Sequence, residues 1–276
     1  AIASTLETPE VFSIFEISES GVCNRKCSFC PRSAPGFPEE NKFITQDLIS
    51  KVTEQLVALD YAGLILFSGF VEPLLDKKLP DHILYMRRKL PKCNIEVITN
   101  GDPLTILVLN RLAEAGLSKL LVSLYDGPEQ VPSLLTLIES SKFLIENLTI
   151  RKRWVGDDGV LPISLSNRGG AMAEAKDALA PLSEPLKNKC FYPTQTFFVD
   201  YLGDVLLCAH DWGKKYICGN INAESILDVW NGVRFKKGRM MLLQSNRGFS
   251  PCNVCNVLGT RMGVLHAEAY EDFYKL

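Results

Sequence analysis

Cys23, Cys27 and Cys30 place three thiols within eight residues, at the spacing C-x3-C-x2-C. They follow an apolar run, Phe12 to Ile17, that reads as a β-strand. Three thiolates on one loop can hold three irons of a [4Fe-4S] cluster and leave the fourth iron open to a small molecule. An open site is a catalytic arrangement, by the logic that separates open from closed zinc sites. Zinc or a disulfide cluster is the other reading, but zinc wants a fourth ligand and the closest histidine is His82. Cys190, Cys208, Cys252 and Cys255 form a second constellation. Four cysteines can fully ligate a second [4Fe-4S] cluster, and taken alone they also read as a zinc ribbon.

Elements must bring these thiols into position. From Phe12 to about Arg168, short β-rich runs alternate with helical periods. Thr45 can cap a helix bearing Leu48, Ile49, Val52, Leu56 and Leu59, which Gly63 ends. Leu64 to Phe67 is a continuous apolar strand of the kind buried in a parallel sheet. Helices are expected over 80–90, 104–115 and 131–144. Strands are expected over 95–98, 119–124, 147–151 and near 160–165. This alternation implies βαβ units, about six of them, short of the eight in a full barrel. The expected fold is α/β: a partial (β/α)6 TIM-like barrel over 11–184, then a small α+β domain over 185–276. The second domain opens with a β-hairpin, 196–199 and 205–207, and carries a short helix, Ser225 to Trp230.

Strand-end loops build the site in such folds. The first carries the cysteine triplet. The others are Ser68-Gly69-Phe70-Val71-Glu72-Pro73, Thr99-Asn100-Gly101, Ser123-Leu124-Tyr125-Asp126-Gly127 and Asn167-Arg168-Gly169-Gly170. Taken singly, these are ordinary turns. Arg168 either points over the barrel mouth or is a solvated turn residue. Arg151-Lys152-Arg153 reads as a solvated charge run or as lining the path of an anionic substrate. Cys93 reads as a buried small apolar residue.

The whole arrangement resembles the radical S-adenosylmethionine (SAM) superfamily. C-x3-C-x-Φ-C, with Phe29 before the last cysteine, resembles its signature, and Ser68 to Pro73 resembles its Gly-Gly-Glu-Pro element with one glycine replaced and the glutamate displaced. The resemblance implies that Cys23, Cys27 and Cys30 hold a cluster whose open iron chelates SAM. It implies cofactor contacts from Phe29, Gly69, Glu72, Asn100 and Ser123. Cys190, Cys208, Cys252 and Cys255, with Gly203-Asp204-Val205 and Val229-Trp230-Asn231, resemble a Twitch or SPASM auxiliary [4Fe-4S] domain. The relatives suggested are aminocyclitol and sugar dehydrogenases and epimerases of antibiotic biosynthesis.

The expected function is therefore oxidation of a secondary alcohol of a sugar or aminocyclitol to a ketone, the auxiliary cluster taking the second electron. Arg168 and Cys218 are the candidate catalytic residues. Cys218 reads as a structural thiol, as an alternative cluster ligand or as the hydrogen donor of an epimerase. Peptide modification is a further alternative, disfavoured by the barrel beginning near residue 12. A non-catalytic iron–sulfur or zinc protein is the reading from another class. Expected partners are the small-molecule substrate and a flavodoxin- or ferredoxin-type electron donor.

Bulk properties agree with an enzyme of this size. The 276 residues carry a net charge of −2, with no polybasic footprint for nucleic acid. No apolar run approaches the roughly 20 residues of a membrane helix. Nine cysteines, an odd number, without an export signal read as metal ligands in a reducing cytoplasm.

Overall fold

The computed structural model describes residues 12–154 and 165–276. Its compact units do not follow chain order. Glu16–Asn24 with residues 40–154 form the first, and residues 12–15 with Arg25–Glu39 and Leu165–Leu276 form the second.

In the first unit, the last three residues of β1 (Ile14–Ser18) lead into β2 (Ser20–Gly21), which pairs antiparallel with β3 (Glu40–Phe43). α1 (Gln46–Ala58) starts where expected: Thr45 Oγ1 accepts the Leu48 amide at 3.2 Å. Its Leu48, Ile49, Val52 and Leu56 are buried. The helix stops at Leu59, before Gly63, because the chain turns left-handed at Asp60. The alternation continues through β4 (Leu64–Phe67), α2 (Leu79–Lys89), β5 (Asn94–Thr99), α3 (Ile106–Glu114), β6 (Lys119–Leu124), α4 (Gln130–Glu139) and β7 (Leu148–Lys152). Here α4 ends five residues sooner than its apolar period suggests. The hydroxyls of Ser140 and Ser141 donate to the carbonyls of Thr136 and Ile138, each at 2.8 Å, and close its last turn.

The strand order is β1-β4-β5-β6-β7. β4 to β7 run parallel, with Phe67 opposite Val97, Val97 opposite Leu120 and Ser123 opposite Arg151. This is the β/α succession of a partial barrel, its outer face filled by Ile65, Phe67, Ile95, Val97, Leu120 and Val122. The strand expected near 160–165 falls almost wholly outside the described residues.

The second unit holds α5 (Tyr192–Gln195), β8 (Thr196–Asp200), β9 (Asp204–Leu206), β10 (Ile217–Asn220), α6 (Ile226–Trp230), α7 (Val233–Leu243) and α8 (Val264–Tyr274). β8 and β9 form the expected hairpin, and β10 extends it antiparallel. Asp200 Oδ1 closes the turn by accepting the amides of Leu202 and Asp204 at 2.8 and 3.0 Å. The core is aromatic: Phe12, Phe15, Phe197, Trp230 and Phe235 stack or tilt on one another with centroids 4.6–6.2 Å apart.

α7 was not legible as a helix because its buried face includes Gly238 and Arg239 as well as Phe235, Leu242 and Leu243. Gly238 stands where a Cβ would meet Leu207 at 2.7 Å. Arg239 lies over Trp230 and Tyr270, at 4.0 and 4.3 Å from their ring centroids. No helix among the described residues is long and apolar enough to cross a membrane.

Candidate active site

In the first unit, Gly69 turns the chain after β4 at φ +96°, a conformation that favours glycine. Two hydrogen bonds hold this turn to the segment after β1: the Phe70 amide donates to Ser18 Oγ at 3.2 Å and the Glu72 amide to Val22 O at 3.0 Å. The Glu72 side chain does not stand open. Its Oε1 accepts from the Leu74 amide at 3.1 Å and from Thr99 Oγ1 at 2.6 Å, and its Oε2 accepts from the Asn100 amide at 2.7 Å. Burial raises its pKa to about 7 against the pull of these bonds. Glu72 therefore pins the β4 and β5 strand-end loops to each other.

Asn100 continues the same network. Its side-chain amide donates to Asn24 Oδ1 at 2.8 Å, and the Asn24 amide donates to Asp102 at 2.7 Å. Asn24 is the neighbour of Cys23, so the β5 loop is tied to the first thiol's segment. A cleft of about 280 Å³ opens beside Asn100, floored by Val122 and Leu124 and rimmed by Asp102, Glu129 and Gln130.

Ser123 is buried at the end of β6, directly opposite Arg151 on β7. Arg151 belongs to the charge run that reads from sequence as solvated or as lining the path of an anionic substrate. Period-two alternation could have found it, since it shares the Ser123 face. Burial, and then the neighbouring charge of Arg153, make the Arg151 guanidinium less basic than usual.

In the second unit, Cys27 and Cys30 lie on one turn, the Cys30 amide donating to Cys27 O at 2.9 Å. Phe29 is half-buried between them. Burial raises the Cys30 thiol, opposed by the amide of Arg32 and by the charges of Arg168 and Arg32. Cys190, Cys208, Cys252 and Cys255 converge. Burial and then Cys190 push Cys208 well up, and burial, Cys190 and Cys255 push Cys252 to about 12. Gly259 approaches so closely that a Cβ there would lie 2.2 Å from Cys190 Sγ.

These thiols share a local device. Each of Cys30, Cys190, Cys208 and Cys255 accepts the amide two residues on, at 3.4 Å for His210 N to Cys208 and for Val257 N to Cys255. Amides aimed at sulfur favour thiolate, whereas burial and mutual repulsion favour thiol. A bound cationic centre resolves that conflict, so the donor set suits a metal cluster.

The two remaining cysteines differ. Cys93 Sγ donates to Tyr61 O at 3.1 Å and is a core residue, as expected. Cys218 lies on β10, pushed up to about 12 by burial in spite of Arg234 and Arg239.

Arg168 begins a run of three left-handed residues, at φ +48°, +61° and +88°. For a non-glycine residue this is strained backbone of the kind found at functional sites. Its guanidinium reaches His210 Nδ1 at 3.4 Å and lies 5.8 Å from the Trp212 ring centroid. His210 also contacts Ser166 Oγ at 3.3 Å and Tyr192 OH at 3.5 Å. Burial, and then the Arg168 charge, depress His210 to about 3, so its imidazole is neutral. The sequence alone did not show that Ser166 and Tyr192 belong to this group.

Parallel strand ends joined by a polar network, together with two sets of amide-supported thiols, define an iron–sulfur enzyme. The Radical SAM superfamily model matches residues 17–150, and the SPASM iron–sulfur cluster-binding domain matches 190–256. The chain is 31% identical over 252 residues to the S-adenosyl-L-methionine-dependent 2-deoxy-scyllo-inosamine dehydrogenase of Niallia circulans, covering 90% of this chain and 94% of that one. The crystal structure of BtrN in complex with AdoMet and 2-DOIA superimposes with a TM-score of 0.76 at 30% identity, over 92% of this chain and 97% of that one. anSMEcpe with bound AdoMet shares the fold alone, with a TM-score of 0.55 at 13% identity, over 95% of this chain and 92% of that one. The protein belongs to the radical SAM superfamily and carries a SPASM domain. Its cofactors are SAM and two [4Fe-4S] clusters.

Proposed function

We propose that this enzyme oxidises a secondary alcohol of an aminocyclitol or related sugar ring to a ketone. The observation that carries the reading is the position of Arg168. Its charge reaches Cys30, and its side chain contacts His210, two residues beyond Cys208. A substrate hydroxyl held by Arg168 would lie between a thiol of the first set and a thiol-bearing loop of the second. The similarity to a 2-deoxy-scyllo-inosamine dehydrogenase supports the ring class.

In this reading Cys23, Cys27 and Cys30 hold the first cluster, and Cys190, Cys208, Cys252 and Cys255 hold the second. When bound, the clusters and SAM supply a 5′-deoxyadenosyl radical for hydrogen abstraction and an acceptor for the second electron. The chain's own part is binding and charge control. Gly69 gives its backbone to the methionyl amino group, Glu72 and Asn100 fix the loops around it, and Ser123 with Arg151 takes the carboxylate. A guanidinium suits that task because its fork matches a carboxylate's two oxygens. Phe29 packs against the adenosyl half. Arg168 donates to the substrate hydroxyl oxygen and stabilises negative charge there as the proton leaves. A flavodoxin- or ferredoxin-type donor and a reducing cytoplasm complete the requirement.

The test is anaerobic reconstitution with SAM, dithionite and 2-deoxy-scyllo-inosamine in deuterated water. Formation of 5′-deoxyadenosine with a ketone supports the proposal. Solvent deuterium on an inverted ring carbon would instead mean epimerisation with a thiol donor.

A further inference from the structure

Arg168 and His210 are 42 positions apart in the chain, and their side chains meet at 3.4 Å. A guanidinium has only donors, so His210 Nδ1 must be the acceptor and the ring proton must sit on Nε2. That proton faces Tyr192 OH at 3.5 Å, and the two rings stand edge-on, 80° apart with centroids at 5.3 Å. Ser166 Oγ contacts the same Nδ1 at 3.3 Å. The imidazole is thus contacted by three side chains, and its one acceptor is shared by Arg168 and Ser166. The backbone of His210 is also fixed, because its amide donates to Cys208 Sγ at 3.4 Å.

We propose that His210 is a positioning residue for Arg168: its Nδ1 takes one guanidinium N–H and so fixes the direction in which the remaining N–H groups are presented. The proposal rests on the reading of Arg168 as the substrate-hydroxyl contact and adds a device to it. The orienting group is carried by the loop of an auxiliary-cluster cysteine.

Three variants test it. His210→Phe keeps a ring against Tyr192 and removes the acceptor. His210→Asn places an oxygen near the Nδ1 position, and His210→Gln places one too far along. Crystal structures of the reconstituted variants should show the Arg168 guanidinium displaced in Phe and Gln and restored in Asn. With 2-deoxy-scyllo-inosamine as probe, ketone formation should fall about tenfold to a hundredfold in Phe and Gln and return to within about threefold in Asn, since misplacement by about 1 Å costs that much. Iron content and substrate-free SAM cleavage should stay at the wild-type level.

An unmoved Arg168 in His210→Phe overturns the proposal, as does equal turnover in all three variants. Full turnover by His210→Phe beside loss in Arg168→Gln overturns the positioning role alone. Full turnover by Arg168→Gln removes the underlying reading of Arg168. If the probe is not oxidised, the position of Arg168 in the crystals decides.

Discussion

The amide of Asn100 donates to Oε2 of Glu72 at 2.7 Å, joining two strand-end loops 28 residues apart through one buried carboxylate. Its companion bonds from Thr99 and Leu74 leave the carboxylate committed to the protein.

Folding stability should therefore fall as pH rises through this group's window. The Glu72 pKa is raised from 4.5 to about 7, so between those values the folded protein holds a proton that the unfolded chain releases. The contribution is present below the unfolded value and is lost as pH climbs to about 7. Glu72→Gln should flatten the dependence of Tm on pH between those limits. An unchanged slope would show that Glu72 is already ionised throughout.

Arg151→Gln should weaken SAM binding about tenfold to a hundredfold, the size of one charge-assisted hydrogen-bonded pair. Iron content should not change, because Arg151 is on β7 and the thiols are elsewhere. Calorimetric titration of reconstituted protein with SAM is the measurement. A binding constant equal to wild type would return Arg151 to the solvated charge run that its sequence neighbours suggest.

Substitutions in the two thiol sets should separate. Cys30→Ala and Cys208→Ala should each reduce iron from about eight to about four per chain, as expected for loss of one four-iron cluster. The first should abolish 5′-deoxyadenosine formation. The second should keep it and lose the ketone. Cys218→Ala should keep both the iron and the ketone, and loss of either would give Cys218 a part in cluster or chemistry.

Arg239→Met should be severely destabilising despite its fair fit in volume. Arg239 is fully buried and donates to Pro193 O at 2.9 Å, Tyr274 OH at 3.0 Å and Trp230 O at 3.2 Å. Unsatisfied buried acceptors cost about 1–3 kcal/mol each. Arg239→Lys should recover little, since an ammonium cannot reach three acceptors in one plane or stack between Trp230 and Tyr270. Thermal unfolding of both variants gives the comparison.

Spacing alone determined a good deal of this protein. The C-x3-C-x2-C triplet, the later cysteines and the turn residues at the strand ends are local patterns, and local patterns survive in one dimension. Thr45 as a helix cap belongs to the same class, because a cap acts within three residues.

Tertiary structure decided what depends on distant partners. α7 hides behind a buried arginine whose acceptors are up to 46 positions away. That Thr99 and Asn100 donate to Glu72 could not be read from the sequence, because they lie 27 and 28 positions away. Both readings of Arg151 stood open in one dimension, and the pairing of β7 with β6 set it opposite Ser123. Residues 25–39 carry two of the first three thiols, yet they pack with the C-terminal unit. No periodicity could report that, since burial is a property of the surfaces that meet and the sequence records only one of them.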